Sequence, residues 1–175
     1  MKGWREAAAI AAAICGGALA GRASRPVSDI AEIHYAPDED LERVDVRLID
    51  EARGSIDMAA YVLTDRQVIA AIERAGRRGV KVRIWRDPEM AHRVGLADAA
   101  ALIEPDDPQI ALREKSPGPL MHLKGYCVDG QTLRSGSANF SHSGLRDQDN
   151  DVVVVRSSAA CARFEAKFER AWGAP

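Results

Sequence analysis

Between Ile30 and Trp85 the apolar residues switch repeatedly between the period of a strand and the period of a helix, and this alternation constrains the fold more than any other feature. Ile30 to Tyr35 (IAEIHY) alternates apolar and polar residues, as a half-buried strand does. Leu41, Val44, Leu48 and Ala52 then recur at helical spacing, with Asp38 as the expected N-cap and Gly54 as the stop. Ser55 to Tyr61 reads as a second strand. Thr64 and Gln67 form a capping box, after which Val68, Ile69, Ile72 and Ala75 mark one face of a helix ending near Gly79. Val80 to Trp85 is a third strand. Strand, helix, strand, helix, strand is the pattern of βαβ units, which favours a sheet with many parallel pairs.

The pattern weakens between Asp87 and Gly118, where Pro88, Pro105, Pro108 and Pro117 leave room for a short helix around Ala97 to Leu102 and for loops. Met121 to Val128 and Thr132 to Ser135 flank Asp129-Gly130, a hairpin signal. Asp151 to Val155 is nearly all apolar, as in a strand buried on both faces. A last helix opens at Ser158, and Phe164, Phe168 and Trp172 stack along it as a core stripe. The expected class is α/β: a mixed, largely parallel sheet with helices on both faces. The 175 residues suit one domain.

Residues 1–20 stand apart. Lys2 and Arg5 precede an uncharged run from Ala7 to Ala20, and Ala18-Leu19-Ala20 offers a cleavage site. The run is shorter than the roughly 20 apolar residues of a membrane-spanning helix. A secretory signal peptide is the expectation, with a retained N-terminal anchor as the alternative, and residues 21–175 form the domain. The formal charge is −2, and losing Lys2, Arg5 and Glu6 would take it to −3. That mildly acidic balance does not advertise a nucleic-acid binder, whose footprint is usually basic. Arg77, Arg78, Lys81, Arg83 and Arg86 are expected to divide between a helix end and both faces of a strand. Export would expose Cys127 and Cys161 to an oxidising compartment, but sequence does not say whether they pair.

The segment from His122 to Asp129 (HLKGYCVD) carries the chemistry. On a strand His122 and Lys124 share a face, and Cys127 falls on the other as a small core residue. An ammonium can balance a phosphate's charge, and an imidazole beside it can attack or shuttle a proton. Asp129 opens the turn and can accept hydrogen bonds from it. Ser137 and Asn139, again two apart, add uncharged groups suited to phosphate oxygens, and Gly136 permits close backbone approach. His142 follows shortly and reads as a loop residue, and His34 and His92 as structural or surface ones.

His-x-Lys-x4-Asp followed by Gly-Ser-x-Asn resembles the HKD signature of the phospholipase D superfamily, and the likeness extends over roughly Ile30 to Trp172. With one such motif in the chain, the sequence resembles the small single-motif branch, which includes secreted bacterial endonucleases and mitochondrial cardiolipin hydrolases. That resemblance implies a phospholipase D-like fold, no cofactor, no metal and a homodimer whose two motifs share one site. It implies that His122 attacks phosphorus while the partner's His122 protonates the leaving oxygen, with Lys124, Ser137 and Asn139 holding the phosphoryl oxygens. Relatives usually carry a Glu after this loop to orient the imidazole. Here Asp149 aligns best, with Asp147 as the alternative.

The expected function is a secreted or periplasmic phosphodiesterase, with nucleic acid as the first substrate. Phospholipid headgroups are the alternative, with membrane association if the N-terminal segment is retained. A non-catalytic binding module of the same fold is the third reading, and the complete set of His122, Lys124, Asp129, Ser137 and Asn139 argues against it.

Overall fold

The computed structural model describes residues 30–88 and 107–173, so the N-terminal segment, the short helix expected around Ala97 and His92 lie outside the described residues. The strands are β1 (Ile30–Ala36), β2 (Ser55–Ala60), β3 (Lys81–Arg86), β4 (Ile110–Glu114), β5 (Lys124–Val128), β6 (Thr132–Gly136) and β7 (Asn150–Arg156). The helices are α1 (Leu41–Glu51), α2 (Arg66–Arg77), α3 (His142–Arg146) and α4 (Ser158–Trp172). Asp40 rather than Asp38 caps α1, and Asp65 rather than Thr64 caps α2, its carboxylate accepting from the backbone N–H groups of Gln67 and Val68.

All seven strands form one mixed sheet in the order β1-β7-β6-β5-β2-β3-β4. The α/β class stands, but the expectation of a largely parallel sheet is corrected. Only β2-β3 and β3-β4 pair in parallel, and the other four neighbours are antiparallel. The period of a segment says that it is a strand but not which strand it joins. β1 crosses to the far edge against β7, and the β5-β6 hairpin inserts β5 beside β2.

One face of the sheet carries α1 and α2. Leu41, Leu48 and Ile49 of α1 and Val68, Ile72 and Ala75 of α2 close over Ile56, Met58, Val82, Ile84, Tyr126 and Val152. On the other face α4 lays Phe164, Phe168 and Trp172 against Ala59, Trp85 and Met121, which makes the aromatic stripe core as its spacing implied. α4 packs on β2, β3, β5 and β6 and leaves β7 half open on that side. Val152 and Val154 are therefore buried while Val153 and Val155 are not, so β7 is not covered on both faces.

Two covalent and ionic ties fix α4. Cys127 on β5 and Cys161 on α4 form a disulfide, with Cα atoms 5.6 Å apart. Cys127 does occupy the face opposite Lys124, but as a cross-link rather than a free core thiol. Arg83 of β3 pairs with Asp57 at 2.7 Å and Glu169 at 2.6 Å, and its guanidinium lies 5.1 Å from the Phe168 ring centre. The other arginines read as a cluster are also paired. Arg78 meets Asp50, Arg86 meets Glu114 and Arg77 faces Glu73.

Candidate active site

The strand directions bring one end of the sheet together: the C-terminal ends of β2, β3 and β6 and the N-terminal ends of β5 and β7. Crevices beyond the carboxyl ends of parallel strands are where α/β sheets place ligands. His122, Lys124, Ser137, Asn139 and Asp149 all fall at this end, and Asp129 falls at the other.

β5 begins at Lys124, so His122 precedes the strand that sequence had begun at Met121. The segment is fixed nonetheless. The Tyr61 N–H donates to the Leu123 carbonyl at 3.0 Å, and the Lys124 ammonium donates to the His122 carbonyl at 2.8 Å. His122 itself is exposed. Its ring centre lies 4.4 Å from that of Tyr61 at a tilt of 59°, and the Lys124 Nζ stands 4.6 Å over the same Tyr61 ring. Tyr61 thus touches both members of the His-x-Lys pair, with a quadrupole that favours the cation. In the sequence Tyr61 stands out only as the end of a strand. Lys124 is 7% exposed, and burial pulls its pKa below the ordinary lysine value.

The Gly-Ser-x-Asn loop leaves β6 at Gly136, whose φ of +153° is open to glycine. A Cβ there would run into the Asp151 carbonyl. The Ser137 hydroxyl donates to the Asn150 side-chain oxygen at 3.0 Å and accepts from the Asp151 N–H at 2.9 Å. The Asn139 Oδ1 is buried without a hydrogen-bond partner among the described residues. Phe140 then stitches the loop to the chain after β2, donating its N–H to Val62 and accepting from the N–H groups of Thr64 and Asp65.

Asp129 does not join this group. It shares the motif in sequence, but its carboxylate sits at the far end of β5, roughly 20 Å from His122 by strand rise. It accepts hydrogen bonds from the backbone N–H groups of Arg53, Gly54 and Ser55 at 2.7–2.9 Å, which clips the hairpin turn to the start of β2. Burial alone would raise its pKa, but these donors hold it below the usual aspartate value. Asp129 thus accepts hydrogen bonds at the turn it opens, as its place in the sequence implies, and only its grouping with the catalytic residues of the motif is corrected, since it stands at the far end of β5.

Asp149 is exposed on the loop before β7 and shares a shallow cleft with Ser137, Tyr35 and Asp38. Neither it nor Asp147, the C-cap of α3, bonds to the His122 ring among the described residues. His142 opens α3 and, with the buried Glu42 and Asp65, forms the one group of three potential metal-ligating side chains among the described residues. These carboxylates already serve the fold. Glu42 accepts from Arg146 at 2.6 Å, and Asp65 caps α2.

Beside His122 opens a cleft of about 510 Å³, lined by Trp85, Leu120, Leu123, Lys115 and Lys167. The exposed imidazole lines this cleft, and the buried ammonium and the loop of uncharged polar groups stand at the same end of the sheet. Such a set can bind a phosphoryl group and attack it.

The family described as "Cardiolipin synthase, PLD-like domain" matches residues 46–172. The chain belongs to the phospholipase D-like family. Among the relatives of this phospholipase D-like chain, a mitochondrial cardiolipin hydrolase from Drosophila melanogaster is 31% identical over 74% of the chain and 57% of its own length. The chain spans about half the length of the curated relatives it matches. Nuc, a phospholipase D family member from Salmonella typhimurium, superposes with a TM-score of 0.75 at 28% identity, over 82% of this chain and 94% of that one. NucT from Helicobacter pylori, at 21% identity and a TM-score of 0.72, covers 82% of this chain and 96% of its own, and shares the fold. No helix among the described residues is long and apolar enough to cross a membrane.

Proposed function

We propose that this chain is an exported phosphodiesterase that cleaves nucleic acid through a phosphohistidine, with two copies sharing one site. The observation that carries the reading is the pairing at Tyr61. The His122 ring is exposed against one side of that ring system, while the Lys124 ammonium is buried over its face. Residues 1–20 would direct export or anchor the chain, and residues 21–175 would form the catalytic domain.

In the first step the His122 imidazole attacks phosphorus. A P–N bond forms, the P–O bond to the leaving group breaks, and His122 of the partner subunit delivers the proton to the departing oxygen. In the second step that same partner imidazole takes a proton from water. The hydroxyl attacks phosphorus, the P–N bond breaks, and both imidazoles return to their starting states. Lys124, Ser137 and Asn139 hold the non-bridging oxygens throughout, the charge stabilisation on which such displacements depend. Asp149 orients the far nitrogen of His122, and the Asn139 side-chain amide contributes through its N–H donors, the only part of that group able to meet a phosphoryl oxygen. The chemistry needs no metal.

Nucleic acid is favoured by the likeness to Nuc, which covers almost all of that chain. A phospholipid reading is favoured by a separate feature: Leu120 and Leu123, 51% and 41% exposed, flank His122. The test uses the full chain and His122→Ala in excess EDTA, on single-stranded DNA, duplex DNA, RNA and phospholipid vesicles side by side. Nucleic-acid cleavage lost in the variant is expected. Headgroup release without nucleic-acid cleavage would move the substrate to lipid. Unchanged turnover in His122→Ala would remove the histidine, and phosphodiester binding without turnover by the wild type would leave a binding module.

A further inference from the structure

We propose that Arg134 is a positioning residue that sets the gap between the His-x-Lys segment and the Gly-Ser-x-Asn loop, and so places Lys124 and Asn139 around one phosphoryl group. The inference rests on the reading that a phosphoryl group binds there.

Arg134 lies on β6, cross-strand from Tyr126, and its side chain is wholly buried together with that of Asp45 from α1. Its Nε and Nη2 donate to the two Asp45 carboxylate oxygens at 2.8 and 2.9 Å. The Tyr126 hydroxyl donates to the same carboxylate at 2.9 Å. That leaves Nη1, which donates to the Lys124 carbonyl at 3.0 Å and to the Ala138 carbonyl at 3.3 Å. The guanidinium carbon sits 4.5 Å from the centre of the Phe140 ring. One side chain therefore holds the residue that carries the proposed phosphate-binding ammonium and the residue between Ser137 and Asn139.

Stability alone does not explain this arrangement. Replacing a buried ion pair with apolar groups of similar volume is often neutral or stabilising. An apolar pair would fill the same space without tying two carbonyls, one from each half of the motif, to a single planar fork. Lysine would not replace it either, because an ammonium lacks the geometry to grip a carboxylate bidentately and reach two further acceptors. A misplacement of about 1 Å at a reacting centre costs roughly 100-fold in rate.

The test compares wild type, Arg134→Lys and the double variant Asp45→Leu/Arg134→Met on bis-p-nitrophenyl phosphate, with melting temperatures recorded for each. Both variants are expected to fold, to lose about 100-fold in kcat and to keep KM within roughly threefold. The double variant, which leaves the Tyr126 hydroxyl and the Lys124 and Ala138 carbonyls without these partners, is expected to melt below the wild type and is assayed well below its own melting temperature. Wild-type kcat in either folded variant overturns the proposal, and so does a rate loss that only follows a fall in melting temperature. If wild type turns over no phosphodiester, the proposed function fails instead, and backbone amide NMR decides the positioning. Shifts in Arg134→Lys concentrated at Lys124, Ser137 and Asn139 support it, and unmoved resonances there overturn it.

Discussion

Lys124 is the residue at which burial and function meet. Burial disfavours its ammonium and lowers its pKa below the ordinary 10.5. An activity that requires the ammonium must therefore decline on the alkaline side at a pH below 10.5, and Lys124→Arg should move that limb out of range at a reduced rate. A kcat/KM profile of both proteins checks this. Asp129 makes the opposite kind of prediction. Its folded pKa is depressed below the usual 3.8, so its hydrogen bonds contribute stability above that pH and lose it as pH falls through the folded value. Asp129→Asn should lower stability at pH 7 by about 2 kcal/mol in urea titrations and leave kcat unchanged. The difference from wild type should shrink below pH 3.8. Asp149→Asn should keep the fold and slow turnover by about 10-fold to 100-fold, and full activity would assign the orienting role elsewhere. His122, Lys124, Ser137 and Asn139 were legible in the sequence because the motif is local. Tyr61 and Arg134 were not, since their value lies in contacts made across strands. Asp129 was legible as a turn acceptor but not as standing apart from the other motif residues, because membership of a motif says nothing of where the strand carries each end.

At the level of elements, periodicity and capping located β1, α1, β2, α2 and β3 closely, because α1, β2, α2 and β3 set apolar residues into a continuous core, although β1 turns Ile33 and Tyr35 outward. The Asp129-Gly130 signal was equally informative, as both residues take the positive φ that a tight hairpin turn requires. Strand partners stayed hidden, because β1 and β2 differ in neighbours rather than in pattern. The same limit concealed the Cys127–Cys161 bond, which depends on α4 crossing β5. That bond closes a loop of 34 residues, and Cys161→Ser should cost about 3 kcal/mol in reversible denaturation under oxidising conditions. Reduced wild type should match the variant, and no difference between oxidised wild type and Cys161→Ser would show that the cross-link contributes nothing to the fold.

Across the whole molecule, charge pairing limits what the arginines can do for a polyanion. Arg74 and Arg78 meet Asp50, Arg83 meets Asp57 and Glu169, and Arg86 meets Glu114, so the basic stretch of the sequence does not become a basic face. Lys115 and Lys167 line the cleft beside His122. Substrate binding in the proposed reaction therefore relies on local chemistry at one end of the sheet rather than on a broad electrostatic footprint. The central step of that reaction is a covalent bond between His122 and phosphorus. The most direct measurement is the intact mass of the full-length chain, quenched within the first turnover of bis-p-nitrophenyl phosphate and mapped by peptide. One p-nitrophenylphosphoryl adduct on His122, absent from His122→Ala, is the predicted result. p-Nitrophenol release by His122→Ala at the wild-type rate, or an adduct on any other residue, would contradict it.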